Sequence, residues 1–533
     1  MHRIMKYFSF FLFVLLAALA AGAQTNTSAS AATTTNMVVP GSTDTNGIAV
    51  LTNGAPTPIA TNTSTRPMSL QDCIQEALKH NLNVQIQRYN PQISRYNLLA
   101  AYGGYDPTFS ISGQRSHEVF PGGGFNQFST NPIPARITDA DTFDSGLQGV
   151  MPWGLQYTLS GTIADTTSSA NPESTSGQIK ASLTQPLLKN FWIDTTRLAI
   201  RVDKNRWKYA GQGLRQQIIN TVNAVELAYY ELIFAQENVK VQQEALQLAQ
   251  TQLDQDNQRV QIGTLAVLDV QQDEAQVAQS QANLIAAQYT LVSDQNALKT
   301  LLTDAYLSWH DTDIEPNQTL DATAQSFNLQ ESWRKGLTGR PDLLQAQLDV
   351  ERQGIQLKFD LNQIFPELDL IGSYGYNGAS KEYSGTFEQF ADRNSPFYSY
   401  GAQLSIPLSN IGSRNTYKSD KLTEKQLLLT LKQLEQKIMV DIDNAVKQAQ
   451  SAYQSAEATR QARIYAEAAL DAEQKKYSVG KSTTFTVLQL QNNLTAARSQ
   501  EIRALANYNE ALSNLAAAEG STLERDRIDI QAK

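Results

Sequence analysis

Tyr398-Ser399-Tyr400-Gly401-Ala402-Gln403-Leu404-Ser405-Ile406-Pro407-Leu408 alternates without a break until its proline. Tyr398, Tyr400, Ala402, Leu404 and Ile406 fall on one face and Ser399, Gly401, Gln403 and Ser405 on the other, the period of two that marks a strand with one oily and one wet side. The same alternation sets Ile179, Ala181 and Leu183 against Lys180, Ser182 and Thr184, and Leu368, Leu370, Tyr374 and Tyr376 against Glu367, Asp369 and Ser373. Two architectures use such strands: a half-exposed sheet in a soluble domain, or a transmembrane barrel that is apolar toward lipid and polar toward a lumen. Alternation alone does not choose between them.

Working outward, the same landmarks occur twice in the same order. Ser182-Leu183-Thr184-Gln185-Pro186-Leu187 resembles Gln403-Leu404-Ser405-Ile406-Pro407-Leu408. Ser69-Leu70-Gln71-Asp72 and Asn328-Leu329-Gln330-Glu331 each place an acid three positions after a capping residue, so each starts a helix. They lie 259 residues apart, as do Pro107 and Pro366, where a helix gives way to a strand. Gln261-Ile262-Gly263-Thr264 resembles Ser478-Val479-Gly480-Lys481. A tandem duplication is predicted, with a first repeat over 67–308, a linker over 309–327, a second repeat over 328–520 and a tail over 521–533. The first repeat carries an extra hairpin, Leu147 to Ile163, turning at Pro152-Trp153-Gly154 between two polar loops, 117–141 and 165–177.

Each strand set leads into a very long helical pair. Ile218, Val225, Leu232, Val239, Leu246, Leu253 and Val260 recur every seven residues, and past Gly263 the spacing resumes with Val270, Val277, Leu284, Leu291 and Leu298. A sustained heptad means supercoiled helices packed along a narrow seam. The stretch from 212 to 260 alone is on the order of 70 Å long at 1.5 Å per residue, more than a compact domain uses. In the second pair the descending helix carries Leu431, Ile438, Ala445 and Ala452, and the return carries Leu494, Ala497, Ala504, Tyr508, Ala511 and Leu515. The other positions are mostly Gln, Ala, Asn, Glu and Asp, so these helices are wet on two sides and dry at their flanks. That suits the wall of a tube; a coiled-coil stalk is the competing reading.

The start of the chain has the layout of a cleavable signal peptide over residues 1–23: Arg3 and Lys6, an apolar run from Phe8 to Ala21, then Ala21-Gly22-Ala23. Its loss takes the formal net charge from -9 to -11, which argues against nucleic acid as a partner. Residues 24–66, rich in Thr, Asn, Ser, Ala, Gly and Pro, read as a disordered leader. Cys73 is the single cysteine, predicted as a small buried helix residue, so no internal disulfide holds this secreted chain together. Four histidines, His2, His80, His117 and His310, are too scattered for a metal site or a general base. No phosphate loop, Cys-His cluster or nucleophile elbow occurs, so neither an enzyme nor a cofactor is predicted.

From residue 68 to 520 the sequence resembles the TolC-like outer-membrane efflux proteins. The most specific pieces are two helix-turn-helix tips, Arg259-Val260-Gln261-Ile262-Gly263-Thr264 with Val267-Leu268-Asp269-Val270-Gln271, and Lys476-Tyr477-Ser478-Val479-Gly480-Lys481 with Val487-Leu488-Gln489. Gly339-Arg340-Pro341-Asp342-Leu343 and Gln185-Pro186-Leu187-Leu188 support them. The resemblance implies a mixed α/β membrane protein. In a homotrimer each chain gives four strands to one shared barrel, twelve in all or eighteen if the extra hairpin joins, and four long helices to a periplasmic helical tube. It implies an outer-membrane channel of a tripartite efflux or type I secretion system, set in outer-membrane lipid and working with a periplasmic adaptor and an inner-membrane pump. The strand count agrees that one chain is insufficient, since a closed barrel needs about eight strands and open edges invite pairing.

The same resemblance places a gate and adaptor-docking point at the tips, with Arg259, Gly263, Thr264 and Asp269 in the first and Tyr477, Gly480, Lys481, Ser482, Thr486 and Gln489 in the second. Tyr477 and Asp269 match the family pattern. Where the second tip of the family carries an arginine and two aspartates, this chain has Ser482, Thr486 and Gln489, so the acidic ring is missing and Lys481 is the nearby substitute cation. Two rival classes stand beside the channel: a structural coiled-coil envelope protein or adaptor, which leaves the amphipathic strands unexplained, and an outer-membrane enzyme, which needs a catalytic cluster the sequence lacks.

Overall fold

The structure, a computed structural model, describes residues 64–123, 134–169 and 172–528. The expected signal peptide and residues 24–63 of the expected leader lie outside the described residues. In chain order the elements are β1 (Ser64–Met68), α1 (Leu70–His80), α2 (Leu82–Ala101), β2 (Thr108–Phe120), β3 (Arg136–Val150), β4 (Gln156–Ser168), β5 (Ser174–Pro186), α3 (Thr195–Gln261) and α4 (Val267–Leu302). There follow α5 (Tyr306–Trp309), β6 (Thr312–Pro316), α6 (Leu329–Gly339), α7 (Pro341–Gln363), β7 (Glu367–Ser380), α8 (Tyr383–Asp392), β8 (Pro396–Ser405), α9 (Ile411–Ser478), α10 (Thr484–Glu519) and α11 (Thr522–Arg525).

Local chemistry starts each helix where a cap stands. Ser69 and Asp72 close a reciprocal capping box on α1, Asn328 accepts the amides of Gln330 and Glu331 at the head of α6, and the Asp194 carboxylate accepts the Arg197 amide at 2.7 Å to open α3. The two halves match in length: α1 and α6 have 11 residues each, α3 and α9 have 67 and 68, and α4 and α10 have 36 each. A 67-residue helix is about 100 Å long, so the descending helix outruns the 212–260 stretch read from its heptads. Its additional N-terminal turns pair with α2 and α7.

Six strands form one antiparallel sheet in the order β2-β3-β4-β5-β7-β8. The extra hairpin is therefore β3 and β4, hydrogen-bonded in the middle of the sheet. No bulge breaks the register: Phe109, Leu147, Leu159, Ala181, Tyr374 and Tyr398 are successive partners across all six strands, and the neighbouring row is Thr108, Gln148, Thr158, Ser182, Ser373 and Ser399. Through these rows one face is apolar and exposed and the other polar, while toward the β7–β8 connection the apolar face gives way to Arg115, His117, Asp139 and Asp141. The polar stretches read as loops partly continue these strands, because Arg115 pairs with Asp141 and His117 with Asp139 across β2 and β3. Among the described residues the sheet does not close, and β2 and β8 each have a single neighbour.

The two ends of the sheet differ. The β3–β4 turn is tight, with the Met151 amide donating to the Leu155 carbonyl at 2.8 Å, and Gly154 lies against the Arg197 guanidinium at the head of α3. At the opposite end α8 folds back on the apolar face. Thr386 is fully buried and donates to the Thr175 carbonyl, and Phe390 sits against Gly177 and Gly378, too close for a Cβ at either.

The largest apolar cluster lies where α1, α3 and α4 meet, joining Cys73, Ile74, Val84, Ile219, Tyr229, Leu232, Leu298 and Leu302. Burial pushes the Cys73 thiol up to about 12, so it packs there as an inert small side chain. Residues 64–66, expected in the leader, belong to β1, which pairs in parallel with β6 from the expected linker, and Ile314 of β6 is wholly buried. Composition gave no sign of this pairing because neither strand exceeds five residues. The tail is docked as far as α11, whose Arg525 forms an ion pair with buried Glu226 of α3.

Candidate functional site at the helix tips

Both long hairpins end in the same turn. Gly263 has φ 76° and Gly480 φ 75°, the left-handed conformation in which a side chain is strained. Around each, two amides reach back: Gly263 to the Val260 carbonyl and Thr264 to Arg259, both at 2.9 Å, then Gly480 to Tyr477 at 3.0 Å and Lys481 to Lys476 at 2.9 Å. This pattern satisfies the last carbonyls of a helix and turns the chain sharply. The Thr264 hydroxyl adds a bond to the Arg259 carbonyl at 3.0 Å.

The heptad seams bring polar side chains inward as they approach these turns. Asp256 stands three residues after Leu253 on α3, and Asp273 three after Val270 on α4, so both occupy the second core position of their heptads. Asp256 is 0% and Asp273 1% exposed. The Tyr477 phenol of α9 donates to both oxygens of Asp256 at 2.8 Å, and the Gln252 amide donates to Oδ2 at 2.7 Å. The Thr484 hydroxyl, from the first turn of α10, lies 2.8 Å from the phenol oxygen and 3.4 Å from Asp256 Oδ2. Arg259 approaches Asp256 at 3.5 Å and lies over the Tyr477 ring, 4.4 Å from its centre. Burial, with the Asp256 carboxylate adding to it, pushes the phenol upward, so Tyr477 keeps its proton and remains a donor.

Of the residues singled out from sequence, Arg259 and Tyr477 thus come together, but their shared partner is Asp256. Asp269 stands in the first turn of α4, near the buried pair without bonding Tyr477. The Ser482 hydroxyl donates to Glu473 at 2.6 Å, and the Lys476 ammonium and that hydroxyl hold the Glu473 carboxyl below the usual range. Thr486 shares a hydroxyl contact with Thr483 at 3.0 Å. Lys481 and Gln489 are exposed; the cation at the latch is Arg259. Sequence reading passed over Asp256, Asp273, Gln252 and Thr484. A signal was available, since two heptad seams each place an aspartate where a core residue belongs.

Comparison with known proteins gives a consistent outcome. The family described as outer membrane efflux protein matches residues 154–303 and 334–521. The outer membrane protein TolC of Salmonella enteritidis is 26% identical over 321 residues, which cover 59% of this chain and 63% of TolC. Among solved structures, the Campylobacter jejuni CmeC outer membrane channel shares the fold with a TM-score of 0.61 at 15% identity, over 85% of this chain and 86% of CmeC. The open Neisseria gonorrhoeae MtrE outer membrane channel matches with a TM-score of 0.61 at 16% identity, over 86% and 91%.

Proposed function

This chain belongs to the outer membrane efflux protein family, and from that premise we propose that it is the outer-membrane channel subunit of a tripartite efflux or type I secretion assembly. The observation that carries the reading is the unbroken register of the sheet, whose rows nearest the helices are apolar on one face and polar on the other across six strands. A sheet with lipid on one side and a water-filled lumen on the other needs this division, and a coiled-coil stalk or a soluble adaptor has no use for it.

Two unpaired edges, β2 and β8, make a single chain insufficient. Three copies joined β8 to β2 close an eighteen-strand barrel, six strands from each. The tight β3–β4 turn, docked at the head of α3, marks the periplasmic rim, and the β7–β8 connection carrying α8 marks the outside, in keeping with the short inner turns and longer outer loops of such barrels. The helices then descend as a periplasmic tube whose tips, at Gly263 and Gly480, form the gate and meet a periplasmic adaptor and its inner-membrane pump. Conduction is passive and the pump supplies the energy.

The test is purification from outer membranes, sizing in mild detergent and insertion into a planar bilayer. Trimers giving discrete conductance steps are expected. A monomer that extracts without detergent and leaves the bilayer silent would overturn the proposal.

A further inference from the structure

The gate assigned above contains a group that the latch does not use. Neither oxygen of Asp273 meets a donor, although the side chain is 1% exposed. Its foremost charged neighbour is the carboxyl of Asp256, itself fully buried. An ionised carboxylate buried without a donor is among the costliest arrangements a protein can hold, and two in contact cannot both stay charged. We propose, on the reading of the tips as a gate, that Asp256 and Asp273 share one proton when the tips are closed, and that Asp273 is a positioning residue whose protonated carboxyl helps hold Asp256 on Tyr477 and Thr484.

The groups facing this pair settle where the proton sits. From α3 come Gln252, the cation Arg259 and Asp256 itself; from α4 the acid Asp269; from α9 Tyr477; and from α10 the neutral Thr484. Asp256 receives hydrogen bonds from Tyr477, Gln252 and Thr484 and has the guanidinium beside it, whereas Asp273 receives none, so the shared proton belongs with Asp273. Asp273 has only acids as charged neighbours; burial first, then the charge of Asp256, pushes it up to about 7. With Asp273 protonated, one hydroxyl bridges the two carboxyls, and α3 is tied to α4, α9 and α10 through a single acceptor. Loss of that proton leaves two buried negative charges beside one arginine.

The sign follows from linkage. In open tips the Asp273 side chain is hydrated and titrates near 4, whereas in closed tips it titrates at about 7. Closure is favoured most at low pH, weakens by up to about tenfold per pH unit between roughly pH 4 and 7, and changes no further above that. Asp273→Asn keeps a donor toward Asp256 and carries no charge, so it fixes the tips in the low-pH condition.

Full-length protein in detergent, followed by hydrogen exchange of the peptides around Asp256, Asp273 and Tyr477 from pH 5 to 8, tests this once intrinsic exchange rates are divided out. The native tips are expected to lose protection as pH rises toward 7, and Asp273→Asn to remain protected throughout. Asp273→Ala, which removes charge and donor together, is expected to be less protected and equally indifferent to pH. The infrared difference between native protein and Asp273→Asn at pH 6 should show an un-ionised carboxyl band that the native protein alone contributes. The same pH response in native protein and Asp273→Asn, or an unchanged band, would overturn the shared proton. Neither readout uses conductance, so a silent bilayer counts against the channel reading and leaves this one standing.

Discussion

At the scale of single residues, the two tip glycines make the most direct prediction. A Cβ at Gly263 or Gly480 meets nothing within 4 Å, so the cost of a side chain there is wholly backbone strain. Gly480→Val should loosen its turn by about 1–3 kcal/mol, whereas Gly480→Asn, which tolerates the left-handed region, should cost well under half as much. Hydrogen exchange of the Lys481 amide, which bonds Lys476, reads both; equal loss in the two variants would mean that space governs the turn. These glycines were plain in the sequence because each interrupts a heptad. Asp256 and Asp273 were not, because a heptad scan records apolar positions and passes over a polar residue on the same seam. Only their burial reveals that a charge has been drawn into the packing, and burial depends on which four helices converge.

At the scale of elements, the sheet was legible and its membership was less so. Period-two alternation located β5, β7 and β8, since each turns oily residues to one side only. The β3–β4 hairpin was equally alternating, but whether it paired with the others depended on register between residues far apart in the chain, which one strand's pattern does not contain. Its place in the order makes it removable. β2, β3, β4 and β5 run alternately up and down, so excising β3 and β4 leaves β2 and β5 antiparallel and free to pair. If three copies close the barrel as proposed, deletion of residues 136–168, with the flanking loops joined, should give a twelve-strand trimer of smaller bore, since barrel diameter grows roughly in proportion to strand number. A markedly lower single-channel conductance with trimers retained is the expected result. Unchanged conductance would place the hairpin outside the pore wall, and loss of all assembly would show that the hairpin is needed to close the barrel.

On the scale of the whole molecule, burial and carboxyls on separate helices push acids toward neutrality, three of them among the described residues to about 6 or 7. Asp360 of α7 is pushed up to about 6 by burial and by Asp420 of α9, Glu510 of α10 to about 7 by burial and by Glu231 of α3, and Asp273 to about 7 as described. Each native pKa is raised above an unfolded value near 4, so each contribution to stability is complete below about pH 4 and is lost as pH rises to between 6 and 7. Thermal unfolding in detergent should therefore move to higher temperature from pH 8 to pH 5, and the combination Asp273→Asn, Glu510→Gln and Asp360→Asn should flatten the trend. A native midpoint that falls over this range would contradict it.

The matched lengths of the halves have a mechanical consequence. α3 runs unbroken from the sheet to the tip, while its partners α2 and α4 divide it between them and give way to one another at the apolar cluster around Cys73 and Leu302. Below that joint, α4 has 36 residues, a lever arm of about 54 Å. One degree of tilt of the α3–α4 hairpin as a unit about this joint then carries its tip sideways by about 1 Å, enough to pull the 2.8 Å bond between Tyr477 of the other hairpin and Asp256 of α3 out of hydrogen-bonding range. The fulcrum lies in a dry, well-packed cluster and the load in a polar one, so a small rotation where the protein is stiffest is magnified where its contacts are most easily exchanged with water.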